Sequence, residues 1–315
     1  MRVFRGWWLA VFVLASLAGS SAQLSDAAKA IALLEHDYEV IPDITYFIAN
    51  RTELRLDIYQ PREAKGPTPV VMFIHGGGWV EGSKERDVLG VLPYLQMGFS
   101  VVNVEYRLGH VSLAPAAVED CLCALHWIGR NAAKYNFDLN KVILTGGSAG
   151  GHLALTTGMI PDSAGLANEC AAENDNAPGW RGPWKSPAPK VAAIINWFGI
   201  TDVWDMLQGP NIRSYAVSWF GSQPNQEILA KRVSPLTYVR AGLPPILTIH
   251  GDADPLVPYS DAVRLHEALS KAGVPNQLLT IPGGKHGDFP ADQTLKAAET
   301  VREFLSKYGI TPEDK

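Results

Sequence analysis

Cysteine is scarce in this chain, three in 315 residues, and positive charge is not in excess. There is no internal repeat and no low-complexity tract. Each scarcity excludes something. Lys and Arg total 27 against 32 Asp and Glu, a net charge of −5, so the chain offers no electrostatic footprint for a phosphate backbone and no nucleic-acid partner is expected. No Cys/His spacing matches a zinc site and no His-Glu-x-x-His occurs, so neither a metal nor another cofactor is expected. The apolar run over residues 6–18 is shorter than the roughly 20 residues that a spanning helix needs. What is abundant is apolar: 47% hydrophobic against 19% charged residues, the content of a well-filled globular core. The length allows one large domain or two small ones.

The first residues read as a leader. Arg2 and Arg5, the apolar run over 6–18 and the small residues Ser20, Ser21 and Ala22 follow the order of a secretory signal peptide, with cleavage after Ala22. A retained anchor is the competing reading, but the run is short and no cysteine near the cleavage site could accept a lipid. The expectation is a signal peptide over 1–22, a mature chain over 23–315 that is secreted or periplasmic, and no stable membrane insertion after cleavage. Disulfides are allowed in that setting. Cys121 and Cys123 lie two apart in a helical pattern and diverge. Either one of them pairs with Cys170 or all three stay thiols.

Apolar runs alternate with helical patterns along most of the chain, the signature of βαβ units around a largely parallel sheet. The expected strands are 52–59, which its alternation marks as an early antiparallel strand, then 69–74, Ser100–Val104, 142–145, Val191–Trp197, 246–250 and 277–281. Most are continuously apolar, as strands covered on both faces should be. Pro115 opens a helix with Val118, Cys121, Leu122, Leu125 and Ile128 on one face. A second helix follows Ser260 and stops at Gly273; a third carries Val301, Phe304, Leu305 and Tyr308. One segment breaks the rhythm. Residues 161–189 are rich in Pro, Gly, Ala and Asn and contain Trp180 and Trp184, which reads as an excursion at the mouth of a site rather than a plain surface insertion.

The sharpest local signal is Gly146-Gly147-Ser148-Ala149-Gly150, placed between a strand and a helix. A sharp strand-to-helix turn strains the serine backbone and leaves room only for small neighbours, and the helix N-terminus behind it favours developing negative charge. Ser148 is therefore the candidate nucleophile. His75-Gly76-Gly77-Gly78-Trp79 follows the strand 69–74; its bare amides, with that of Ala149, are suited to an oxyanion hole, and His75 reads as a brace for the loop. A serine needs a base and the base an orienting carboxylate. Of eight histidines, His286 in the glycine-flanked loop 283–287 is best placed, whereas His152 reads as packing and His250 as a strand end. Asp254, braced by Pro255, is preferred over Asp252 as the carboxylate.

These four segments, HGGGW, GGSAGG, HGDADPLVP and GGKHG, resemble the α/β-hydrolase superfamily. Within it they resemble HGGG-type esterases similar to hormone-sensitive lipase, including the secreted bacterial bifunctional feruloyl and acetyl-xylan esterases. The resemblance covers residues 44–308. It implies an α/β-hydrolase fold, a mostly parallel sheet with helices on both faces and a lid-like insertion. It further implies Ser148 as nucleophile, Asp254 as orienter, His286 as acid/base, and Gly77, Gly78 and Ala149 as oxyanion donors. Trp79, Trp180 and Trp184 are candidate platforms for a sugar ring or an aromatic acyl group. The expected function is a serine carboxylesterase for short acyl or feruloyl esters on a xylan-type polysaccharide or another small ester. A short-chain lipase on non-carbohydrate esters, a peptidase resembling prolyl oligopeptidase and a non-enzymatic binding protein are the competing readings.

Overall fold

The computed structural model describes residues 33–168, 170 and 189–312; the expected leader, Trp180, Trp184 and most of the excursion lie outside them. The described chain builds β1 (Tyr38–Ala49), β2 (Thr52–Pro61), β3 (Thr68–Ile74), α1 (Leu92–Gln96), β4 (Ser100–Val104), α2 (Ala116–Tyr135), β5 (Phe137–Gly147), α3 (Ala149–Met159) and β6 (Val191–Trp197). There follow α4 (Ser214–Phe220), α5 (Gln226–Arg232), β7 (Ile246–Gly251), α6 (Tyr259–Lys271), β8 (Asn276–Ile281) and α7 (Ala291–Lys307). The strands form a single eight-stranded sheet in the order β1-β2-β4-β3-β5-β6-β7-β8. β2 joins β1 and β4 antiparallel, and every pairing from β4 to β8 is parallel.

The continuous apolar runs are explained by what covers them. Val70, Met72 and Ile74 of β3 point into one core with side chains of α2, α3 and α6, whereas Val71 and Phe73 point into a second with side chains of α1 and α7. β5 does the same, with Val142 and Leu144 on one face and Ile143 on the other. Alternation still governs direction, but both faces are dry, so both sets are apolar. Each such buried aliphatic side chain contributes roughly 1.5–3 kcal/mol relative to exposure.

Two features depart from expectation. β1 was not among the expected strands. Its pattern is interrupted at Pro42, and its pairing with β2 shifts register between Ile41 and Ile44, with Asp43 in the left-handed region at φ 57°. A proline at a bulge of an edge strand removes no ladder bond that matters, yet it destroys the period-2 signal. The cysteines resolve into a Cys123–Cys170 disulfide, Cα atoms 5.2 Å apart, with Cys121 a buried thiol. The bridge ties α2 to the chain just after the turn Asp162–Ala164. Among the described residues no helix is long and apolar enough to cross a membrane, and no group of three or more His, Cys, Asp or Glu side chains is placed to hold a metal.

Candidate active site

β5 ends where the chain must turn back into α3, and Ser148 occupies the turn with φ 57° and ψ −120°. This is backbone that a non-glycine residue adopts only when its surroundings enforce it, at about 1–3 kcal/mol. Two hydrogen bonds do the enforcing: Ser148 N–H donates to the Trp197 carbonyl at 2.9 Å, and His152 N–H to the Ser148 carbonyl at 3.0 Å. Gly146 and Gly150 flank the turn because a Cβ on either would overlap the carbonyl oxygen of Ile74 at the end of β3. The hydroxyl therefore stands half-buried above the carboxyl edge of the sheet.

Three loops converge on it. Ser148 Oγ lies 2.8 Å from His286 Nε2, and His286 Nδ1 lies 2.7 Å from Asp254 Oδ2. The carboxylate only accepts, so the Nδ1 proton points at Asp254 and Nε2 is left to accept from the serine. Asp254 Oδ1 accepts from the amides of Leu256 at 2.8 Å and Val257 at 3.0 Å, an Asx-type turn that orients the group. Its side chain is fully buried. Burial by itself pushes the carboxyl up, but hydrogen bonds from His250, His286 and Val257 outweigh it and hold the group well below the ordinary carboxylate range. Asp252, the rejected alternative, accepts from Gly283 N–H at 2.6 Å and so fastens the histidine loop to the acid loop. Phe198 sets its ring edge-on to His286, centroids 4.8 Å apart.

His250 was read from sequence only as a strand end, yet its Nε2 lies 3.2 Å from Asp254 Oδ2 and 3.2 Å from the Val257 carbonyl. Both neighbours are acceptors, and Nδ1 is buried without a partner, so the proton sits on Nε2 and His250 donates to the same oxygen as His286. The signal was present in the spacing, four residues before Asp254 across a tight turn, but without the fold nothing distinguishes it from a packing residue.

The glycine loop arches over Ser148: a Cβ on Gly76 would lie 3.8 Å from Ser148 Cβ. Gly76 N–H donates to Asp87 Oδ2 at 2.9 Å, and the Gly77 carbonyl is taken by Val80 and Glu81 N–H at 3.1 and 3.0 Å. Gly77 has φ 110°, where no other residue sits comfortably. Among the described residues the amides of Gly77 and Gly78 donate to no protein acceptor, and that of Ala149, first in α3, has no partner within the helix. His75 lies beneath the loop, stacked on Tyr106 at 4.2 Å with Nδ1 2.7 Å from the Gly76 carbonyl; burial pulls its imidazole below the ordinary value.

Trp79 requires correction as a substrate platform. The chain turns at φ 63° and sends the indole inward, where it is fully buried and stacked on Trp219 at 4.2 Å. Its Nε1–H donates to His152 Nδ1 at 3.1 Å, and His152 Nε2 lies 2.7 Å from the Val233 carbonyl. Burial lowers the His152 pKa to about 4, so it is the neutral imidazole that this arrangement demands. Trp79 braces the loop from within. The two other candidate platforms, Trp180 and Trp184, lie outside the described residues.

Just beyond the acid loop, the Asp261 side chain is fully buried in the first turn of α6, with Oδ1 2.8 Å from Arg264 and Oδ2 unpartnered. Burial raises its pKa from 3.8 to about 6; Arg264 opposes the rise, and Asp205 and Asp202 add to it. The unfolded chain gives up this proton first, so stability falls as pH rises from about 4 to 6 and stays lower above. Asp261→Asn is expected to stabilise the fold by roughly 1–3 kcal/mol at pH 8 and by almost nothing near pH 4. Thermal melts at the two pH values check this; a less stable variant at pH 8 would show that the Arg264 ion pair outweighs burial.

The profile of the BD-FAE family matches residues 56–269, and that of TAP-like proteins matches residues 225–315. "Esterase LipQ" of Mycobacterium tuberculosis is 28% identical over 275 residues, covering 84% of this chain and 61% of that protein. The chain thus spans about three-fifths of the length of that relative. Among solved structures, a propionate-bound esterase 2 from the planctomycete Thermogutta terrifontis is 28% identical with a TM-score of 0.69, covering 89% of this chain and 97% of that one. A truncated carbohydrate esterase from gut microbiota is 29% identical with a TM-score of 0.68, covering 86% and 97%.

Proposed function

Because the chain belongs to the BD-FAE family and has the α/β-hydrolase fold of its esterase neighbours, we propose that it is a serine carboxylesterase for short acyl esters, with acylated polysaccharide of the xylan type as the alcohol part. The observation that carries the chemistry is the unbroken chain from Ser148 Oγ through His286 to Asp254, at 2.8 and 2.7 Å. Ser148 attacks the ester carbonyl as His286 Nε2 takes its proton, and Asp254 stabilises the imidazolium that forms. The amides of Gly77, Gly78 and Ala149 receive the negative charge of the tetrahedral oxygen. His286 then returns the proton to the leaving alcohol. Water, deprotonated by the same imidazole, attacks the acyl-enzyme, and the imidazolium returns that proton to Ser148 Oγ as the acid leaves.

The substrate part rests on the propionate found in one similar esterase and on the carbohydrate esterase among the others. The test is a panel of p-nitrophenyl acetate, butyrate and octanoate beside acetylated xylan and methyl ferulate. The expected order is acetate and butyrate well above octanoate, with acid released from acetylated xylan or methyl ferulate. Preference for octanoate would replace this with a lipase reading, and turnover of a prolyl amide with no ester activity would replace it with a peptidase. Inactivity on acetylated xylan would remove the sugar and leave the esterase.

A further inference from the structure

The acid loop is exposed where it should be most rigid. The Asp254 side chain is buried and Val257 at the end of the turn is in the core, but Pro255 is exposed and Leu256 is 44% exposed, so apolar packing does not hold the tip of the turn. Hydrogen bonds from another part of the chain do. Arg213, just before α4, donates from Nε to the Leu256 carbonyl at 2.9 Å and from Nη2 to the Pro255 carbonyl at 3.1 Å. The Tyr215 hydroxyl donates to the same Leu256 carbonyl at 3.2 Å. Arg213 itself is fixed at both ends, its amide donating to the Met206 carbonyl at 3.0 Å and Nη1 to the Ile212 carbonyl at 3.1 Å. Among the described residues it has no carboxylate partner, so its fork is given over to carbonyl dipoles. A planar guanidinium suits two neighbouring carbonyls, and charge-assisted bonds of this kind are about twice as strong as neutral ones.

Leu256 is thereby held on both sides. Its amide is taken by Asp254 Oδ1 and its carbonyl by Arg213 and Tyr215. Tyr215 also packs against the oxyanion loop: a Cβ added to Gly78 would lie 2.8 Å from Tyr215 Cβ and 2.9 Å from its ring. Residues 213–215 therefore touch both the loop that carries the acid and the loop that carries the oxyanion amides. We propose that Arg213, assisted by Tyr215, is a positioning residue that acts through Asp254: it fixes the 254–256 turn so that the carboxylate stays on His286 Nδ1. The proposal rests on the esterase reading above.

A double-mutant cycle tests it. The rates of wild type, Arg213→Gln, Asp254→Asn and the double variant are measured on p-nitrophenyl acetate, with a thermal melt of each. A displaced catalytic group typically costs on the order of 10- to 100-fold, so Arg213→Gln is expected to lower kcat by about that factor in the wild-type background with KM changed less than about twofold. In the Asp254→Asn background, where the carboxylate is already gone, the same substitution is expected to cost less than about twofold, because residues that act as a unit are not additive. Arg213→Lys, which can reach only one of the two carbonyls, is expected to fall between. Equal losses in both backgrounds, a loss confined to KM, or no loss at all would overturn the proposal. A wild type that neither hydrolyses the ester nor labels with a fluorophosphonate would overturn the esterase reading instead.

Discussion

Ser148→Ala is expected to lower kcat on p-nitrophenyl acetate by at least about 10⁴-fold without unfolding the chain. The substitution removes one oxygen and one hydrogen bond, that to His286 Nε2 at 2.8 Å. The strained turn tolerates alanine as well as serine, since a Cβ is already accommodated at φ 57°, so melting should change little. His286→Ala is expected to cost nearly as much, and the double variant no more than either single one, because nucleophile and base contribute nothing apart. Some residual rate above water is expected from the amides of Gly77, Gly78 and Ala149. Retention of a tenth of the wild-type rate by Ser148→Ala would mean that hydrolysis happens elsewhere.

Asp254→Asn is expected to lower kcat by about 10³- to 10⁴-fold, for a reason the local hydrogen bonds dictate. Oδ1 accepts from two amides, those of Leu256 and Val257, so the carbonyl of an asparagine must take that side. Its NH2 then faces His286 Nδ1 and His250 Nε2, both of which donate in the wild type. Donor against donor is resolved by moving the His286 proton from Nδ1 to Nε2, and a protonated Nε2 cannot accept the serine proton. The defect is therefore one of tautomer rather than of fold. The rate of fluorophosphonate labelling at Ser148 should fall by a similar factor. A variant within about tenfold of wild type in both readouts would show that His286 does not depend on this carboxylate.

Much of this arrangement is legible in the sequence. The elbow was readable because its constraint is local: Gly146 and Gly150 are small where the chain meets the Ile74 carbonyl, and such crowding marks the sequence directly. The strands β3 to β7 were readable because burial on two faces makes their central runs largely apolar, whereas the edge strand β8 is only partly buried. β1 was not, since a proline and a register shift erase its period. Trp79 was misread because an indole looks alike in sequence whether it faces a ligand or the Trp219 ring. His250, Asp87 and Arg213 were missed for a related reason. Each acts through one or two hydrogen bonds to main-chain or carboxylate groups in other loops, and no composition or spacing rule encodes the direction of a side chain.

The sequence by itself determined the fold class and the strained elbow at Ser148, because hydrophobic patterning and steric crowding are written residue by residue. Only the tertiary structure decided what surrounds it: that Cys123 rather than Cys121 bridges to Cys170, that Asp254 answers to two imidazoles, and that the segment over 213–215 ties the Asp254 loop to the glycine loop. Apart from the contact of His250 with Asp254, these relations join residues tens of positions apart or, for Gly78 and Tyr215, more than a hundred. They exist only once the sheet has brought its loops to one edge.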